Sequence, residues 1–161
     1  MAEYERMLAA NEEWARRCPG ELPGRPARGV AVVACMDARM DVYRILGLAV
    51  GDAHVIRNAG GVVTDDTIRS LTISQHLLGT REIVLVHHTR CGMQGADEEA
   101  FLAQVEQACG ARPDWPVRAF ADAEEDVRES IRALRECPYL LSYDVRGTVY
   151  DVDTGLLREV R

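Results

Sequence analysis

The stretch "IVLVHHTRCGM", residues 83–93, runs from an apolar segment into two histidines, with a cysteine three positions after the second. Four consecutive apolar residues, Ile83 to Val86, leave no polar face, so they read as a strand covered on both sides, as in a parallel sheet. Open sheets of that kind bind ligands beyond the carboxyl ends of their strands. His88 and Cys91 therefore stand where chemistry is expected.

Working outward, "GVAVVACMD" (29–37) has the same apolar texture, and "AHVIRNAGG" (53–61) reads as another strand running into a double-glycine loop. Between the strands, "DVYRILGLAVGD" (41–52) predicts a short helix closed by glycine, and Thr64 to Leu78 predicts a longer one. In the longer helix Ile68, Leu71, Gln75 and Leu78 share a face, while Asp65 and Asp66 complement the dipole of the first turn. Further on, "ADEEAFLAQVEQAC" (96–109) and "DAEEDVRESIRALREC" (122–137) predict helices, "WPVRAF" (115–120) a short strand, and "VRGTVYDVDTGLLREV" (145–160) a hairpin turning at Asp153-Thr154-Gly155. Strands alternating with amphipathic helices give an α/β fold: a mostly parallel central sheet flanked by helices.

The chain of 161 residues, 47% hydrophobic and 28% charged, suits a single domain over 1–161. Residues 1–28 form an N-terminal helical arm and its Pro/Gly-rich linker. The arm has only Met7, Leu8 and Trp14 as apolar anchors, so it is expected to lie on the body or on a partner subunit. A net charge of −7 and the lack of a Lys/Arg cluster argue against nucleic acid as a partner. The N-terminus lacks the apolar core of a secretory signal, and no apolar run approaches the roughly 18 residues of a membrane span. A cytoplasmic protein with no membrane partner is the expectation. Five cysteines, an odd number without an export signal, favour free thiols over a disulfide framework.

Cys35, His88 and Cys91 all fall at predicted strand ends. Thiolate and imidazole are the preferred ligands of zinc, and a Cys₂His set leaves a fourth position open. Asp37 and Arg39, two apart and in step with Cys35 on an extended segment, bring a carboxylate and a guanidinium to the same side. Taken alone, "CMDAR" also reads as a buried cysteine beside a salt bridge. His87 should point away from His88 and be a packed residue. His54 and His76 have no partner at metal spacing. Cys109 and Cys137 read as small buried hydrophobes, and Cys18 ends the arm. Gly60-Gly61 suits a phosphate cradle in outline, but Asp65 and Asp66 would repel one, so a small neutral substrate or a single anion fits better.

The segments "CMDAR" (35–39), "VIRNAGG" (55–61) and "HHTRCGM" (87–93), in this order and spacing, resemble the signature of the β-class carbonic anhydrases over most of the chain. The resemblance implies Zn2+ as cofactor on Cys35, His88 and Cys91, and reversible hydration of carbon dioxide to bicarbonate and a proton. It implies that Asp37 and Arg39 form a catalytic dyad, with Asp37 either paired to Arg39 or turned onto zinc as a fourth ligand. Asn58, Ala59, Gly60 and Gly61 would line the substrate pocket. A homodimer or homotetramer is implied too. Two thiolates donate more charge than imidazoles, which predicts activity rising toward alkaline pH. Rival readings keep the site and change its use: hydrolysis of carbonyl sulfide or carbon disulfide, a non-catalytic zinc protein, or a thiol enzyme using Cys35. Arg90 departs from the related pattern, which often carries aspartate there.

Overall fold

The computed structural model describes residues 2–161. Its first element is α1 (Glu3–Ala15), followed by β1 (Val30–Cys35), α2 (Val42–Ile45), β2 (Ala53–Asn58), α3 (Asp65–His76), β3 (Glu82–His88), α4 (Glu98–Cys109), α5 (Ala123–Glu136), β4 (Asp144–Tyr150) and β5 (Leu157–Val160). The five strands make one sheet in the order β2-β1-β3-β4-β5, parallel except for the antiparallel β4–β5 hairpin. The α/β reading and the parallel sheet are thus present.

Every residue of β1 is buried, as its apolar run requires. Side chains alternate between the two faces with period two. Val32, Ala34 and Val86 join one apolar cluster, and Ala31, Val33, Ile83 and Leu85 join another. On α3, Leu71 packs into the second cluster and Ile68 lies against it. Thr64 caps α3 by accepting a hydrogen bond from Thr67 N, and Asp122 caps α5 through Glu125 N in the same way. Buried Gln75 ties α3 to a distant loop, its Oε1 accepting from Leu141 N at 2.7 Å.

Two expectations need correction. Residues 115–120 form no strand, only an isolated bridge between Gln94 and Phe120, because Arg118 adopts a left-handed φ of 62° that ends any extension. Cys109 is exposed, since α4 has no buried residue, whereas Cys137 is buried as expected. Of the two places expected for the arm, its own body does not cover it, since none of α1 is buried and Tyr4, Met7, Leu8 and Trp14 are exposed; the partner-subunit alternative stands as it was. The linker does touch the body, with Ala27 N donating to Gly51 O and Pro26 buried.

From β1 the chain moves to one side to form β2, then crosses to the other to form β3. That reversal opens a crevice beyond the carboxyl ends of β1, β2 and β3. The segments carrying Cys35, Asn58 and His88 all end there.

Candidate metal centre

Cys35 closes β1, and parallel pairing sets it opposite Asn58 at the end of β2. Pairing continues one step further, with Met36 N donating to Asn58 O at 2.8 Å, so the segment after Cys35 is held by the sheet. His88 closes β3, and Cys91 returns from a tight turn. Their ligand atoms, with that of Cys35, all lie within 4.8 Å of one another, and all three residues are buried.

The donor set fits a zinc ion. The two sulfurs stand 3.9 Å apart, close to the separation of about 3.8 Å that two thiolates at about 2.3 Å take across a tetrahedral angle. His88 Nδ1 donates to the carbonyl of Thr89 at 2.9 Å, which leaves Nε2 with its lone pair bare. That buried Nε2 has no hydrogen-bond partner, an uncompensated acceptor of the kind a metal satisfies.

The electrostatics of the cluster's own side chains point the same way. Burial pushes the Cys35 thiol up, but attraction to the His88 imidazole and backbone donors at Asp37 and Gly60 outweigh it and bring it down to about 7. The attraction acts without a well-directed bond, since His88 Nε2 has no partner of proper geometry. His88 is held above its ordinary value: burial opposes its charge, and Cys35 and the Thr89 carbonyl overcome that opposition. The Cys91 thiol is pushed up, first by burial and then by its neighbour Cys35.

Asp37 lies beside this cluster, its Oδ2 3.8 Å from His88 Nε2. Arg39 grips it with two bonds, Nε to Oδ1 at 2.9 Å and Nη2 to Oδ2 at 2.7 Å, and its backbone N–H adds a third to Oδ1. The side-chain bonds from Arg39, then the backbone one, hold the Asp37 carboxyl far below the usual carboxylate range. Of the two arrangements the resemblance allows, the structure holds Asp37 paired with Arg39.

The double-glycine loop lies against the site. Gly61, at φ +71°, is so close to β1 that a Cβ there would meet Cys35 N at 2.8 Å. Gly60 faces Met93, Val62 and Phe120. Asn58 is turned inward, its Nδ2 donating to Val62 O at 2.8 Å while Oδ1 is buried without a partner. Ala59 begins the short 3-10 turn Ala59–Gly61.

Two supporting residues escaped the sequence reading. Arg57, exposed on the outermost strand β2, reaches back to bind Cys35 O at 3.0 Å and Asp37 O at 2.8 Å, clamping the backbone that carries thiolate and carboxylate. Asp126 on α5 accepts from His87 Nε2 at 2.7 Å, which settles His87 as a packed histidine facing away from the cluster. The signal for Asp126 was a fully buried histidine that demanded a partner; Arg57 left none. His54 lies 2.7 Å from Ser74 Oγ and His76 2.9 Å from Tyr139 O, neither in the metal cluster.

A buried Cys₂His cluster at the switch point of a parallel sheet, with a charge pair at its mouth, defines an α/β metalloenzyme of the zinc type. The carbonic anhydrase family profile matches residues 30–157. The chain is 53% identical over 154 residues to β-carbonic anhydrase 1 of Mycobacterium tuberculosis, covering 95% of this chain and 94% of that one. A carbonic anhydrase structure from Streptococcus mutans superposes with a TM-score of 0.93 at 44% identity, covering 100% of this chain and 99% of the other. A carbon disulfide hydrolase of Acidithiobacillus thiooxidans is 35% identical over 178 residues, covering 94% of this chain and 81% of that one. The chain belongs to the β-class carbonic anhydrase family.

Proposed function

We infer that the chain catalyses the reversible hydration of carbon dioxide to bicarbonate and a proton, with zinc held by Cys35, His88 and Cys91. The observation that carries this reading is the bare, buried Nε2 of His88 between two thiols, next to an Asp37 already locked by Arg39. When bound, zinc supplies Lewis acidity that makes a hydroxide nucleophile available near neutral pH. Arg39 keeps Asp37 ionised, so the carboxylate can only accept a hydrogen bond. It thereby orients the nucleophile's lone pair toward the substrate carbon. Asn58, Ala59, Gly60 and Gly61 line the approach, and the two glycines offer no side chain, which suits a small linear substrate. Arg57 fixes the Cys35–Asp37 backbone on which this alignment depends.

A second reading keeps these residues and changes the substrate to carbon disulfide or carbonyl sulfide. Its support is the similarity to a carbon disulfide hydrolase over 94% of the chain. The higher identity to a β-carbonic anhydrase favours carbon dioxide.

The whole chain acts as one domain, assembled as a homodimer or homotetramer in the cytoplasm. The uncovered apolar side chains of α1 support assembly, and five free cysteines support a reducing compartment. No helix among the described residues is long and apolar enough to cross a membrane.

The test is stopped-flow carbon dioxide hydration from about pH 6.5 to about pH 9, on protein of known zinc content, with Cys35→Ser as control. Fast turnover that rises with pH and vanishes in the control is expected. Full zinc occupancy without turnover would refute the hydratase reading and direct the assay to carbon disulfide and carbonyl sulfide.

A further inference from the structure

Arg90 sits in the two-residue spacer between His88 and Cys91, and it is one of only two non-glycine residues with positive φ among those described, at 55°. An L-residue in that region costs on the order of 1 kcal/mol, so something in the surroundings holds it there. Two contacts do so. The backbone carbonyl of Arg90 accepts a hydrogen bond from Arg39 Nη2 at 3.0 Å. Its guanidinium pairs with the carboxylate of Asp153 in the turn between β4 and β5.

That turn is itself well fixed. Asp151 Oδ1 accepts from Asp153 N at 2.8 Å and from Thr154 N at 3.3 Å. Beside it, Thr89 N donates to Tyr150 O at 2.9 Å, and Thr89 Oγ1 accepts from Val152 N at 3.1 Å. The spacer between the two ligands is therefore moored along one side to the β4–β5 hairpin. Arg39, for its part, is gripped from two directions, by the Asp37 carboxylate and by the Arg90 carbonyl.

We propose that Arg90 is a positioning residue: its pairing with Asp153 sets the Arg90 peptide so that its carbonyl holds Arg39 in the orientation that keeps Asp37 paired and off the metal. The inference rests on the dyad reading given under Proposed function. An exposed ion pair contributes little to stability, so the contact acts on geometry. The relay runs from the hairpin turn through Asp153, the Arg90 peptide and Arg39 to Asp37.

The experiment compares Arg90→Ala, Asp153→Asn and the charge-swapped double variant Arg90→Asp with Asp153→Arg, all zinc-loaded and matched for metal content. Two readouts are taken on this same zinc-loaded protein: kcat and KM for carbon dioxide, and hydrogen-exchange protection of the Arg39 Nε–H by NMR. Each single variant is expected to lower kcat several-fold with little change in KM and to lose Arg39 protection, and the swap is expected to regain most of both. Silent single variants overturn the proposal, as does a swap that fails to restore Arg39 protection. A change in Arg90→Ala confined to bicarbonate KM, with Asp153→Asn silent, also overturns it and makes Arg90 an anion contact. Arg39→Ala run in parallel separates the two levels: if that variant turns over normally, the dyad reading fails, whatever Arg90 does.

Discussion

Replacing Gly61 by alanine should damage the fold and the metal site together, by an amount that an internal control isolates. At φ +71° an alanine costs about 1–2 kcal/mol for the left-handed backbone alone. Its Cβ would also meet backbone atoms, Cys35 N at 2.8 Å and Ala34 C at 2.9 Å, which cannot rotate aside as a side chain can. Overpacking of this kind costs about 1–3 kcal/mol. The total is about 2–5 kcal/mol. Gly155 shares the left-handed φ, +75°, but a Cβ there meets nothing nearer than Tyr150 Oη at 3.8 Å. Gly155→Ala should therefore show only the backbone cost, about 1–2 kcal/mol. Urea unfolding of both variants with zinc chelated reads the difference directly. Relief of the clash at Gly61 must also move the Cys35 backbone, so zinc affinity, measured by competition with a chromophoric chelator, should fall in Gly61→Ala and hold in Gly155→Ala. If Gly61→Ala loses no more stability than Gly155→Ala, with zinc affinity unchanged, the close approach of the loop to β1 has no mechanical role and the reasoning is wrong.

Arg39→Ala should return the Asp37 carboxyl toward its ordinary value of 3.8, since Arg39 bonds are what depress it; a carbon-detected NMR titration of metal-free protein reads this. The sign follows: in the wild type the pair adds stability above the ordinary carboxylate range, lost only as pH falls toward the depressed value. In the metal-free protein Cys35 should alkylate with a midpoint near pH 7, below the ordinary thiol value of 9.0 and below that of Cys91; equal midpoints for the two thiols would contradict the influence of His88. Gly147→Ala should cost about 1–3 kcal/mol in urea unfolding by driving a methyl into Val127 and Ile131 of α5. Zinc affinity should be unaffected there, because Gly147 lies in β4 away from the ligands, and a large loss of affinity would refute that separation.

The parallel sheet was legible because β1 and β3 are apolar runs too short for helices and bounded by charge or glycine, and because Thr64 and Asp122 mark helix starts. The metal cluster was legible because its ligands sit at the ends of those strands, where chain order alone reveals a crevice. What stayed hidden has a common cause: it depends on which distant segments meet. Arg57 reads as an exposed residue of an edge strand until β1 lies beside it. Cys109 closes an amphipathic helix, but burial requires something to pack against, and α4 meets too little of the body. The arm's few apolar anchors left its own body or a partner subunit as a resting place, and its own body does not cover them. Residues 115–120 have strand-forming composition, yet a left-handed Arg118 interrupts them, and no local signal at that position foretells it.

The division of the ligands between two strands has a consequence for how the protein is made. His88 and Cys91 are neighbours in any conformation of the chain, whereas Cys35 lies about fifty residues earlier and joins them only when β1 and β3 pair from Val30↔Glu82 to Ala34↔Val86. A nascent or unfolded chain thus offers zinc two donors, and the finished sheet offers three. The ion binds the folded state more tightly, and by mass action that preference stabilises the pairing that created it. Metal capture is then a clock for sheet closure during folding, and metal escape should be among the first events when β1 parts from β3.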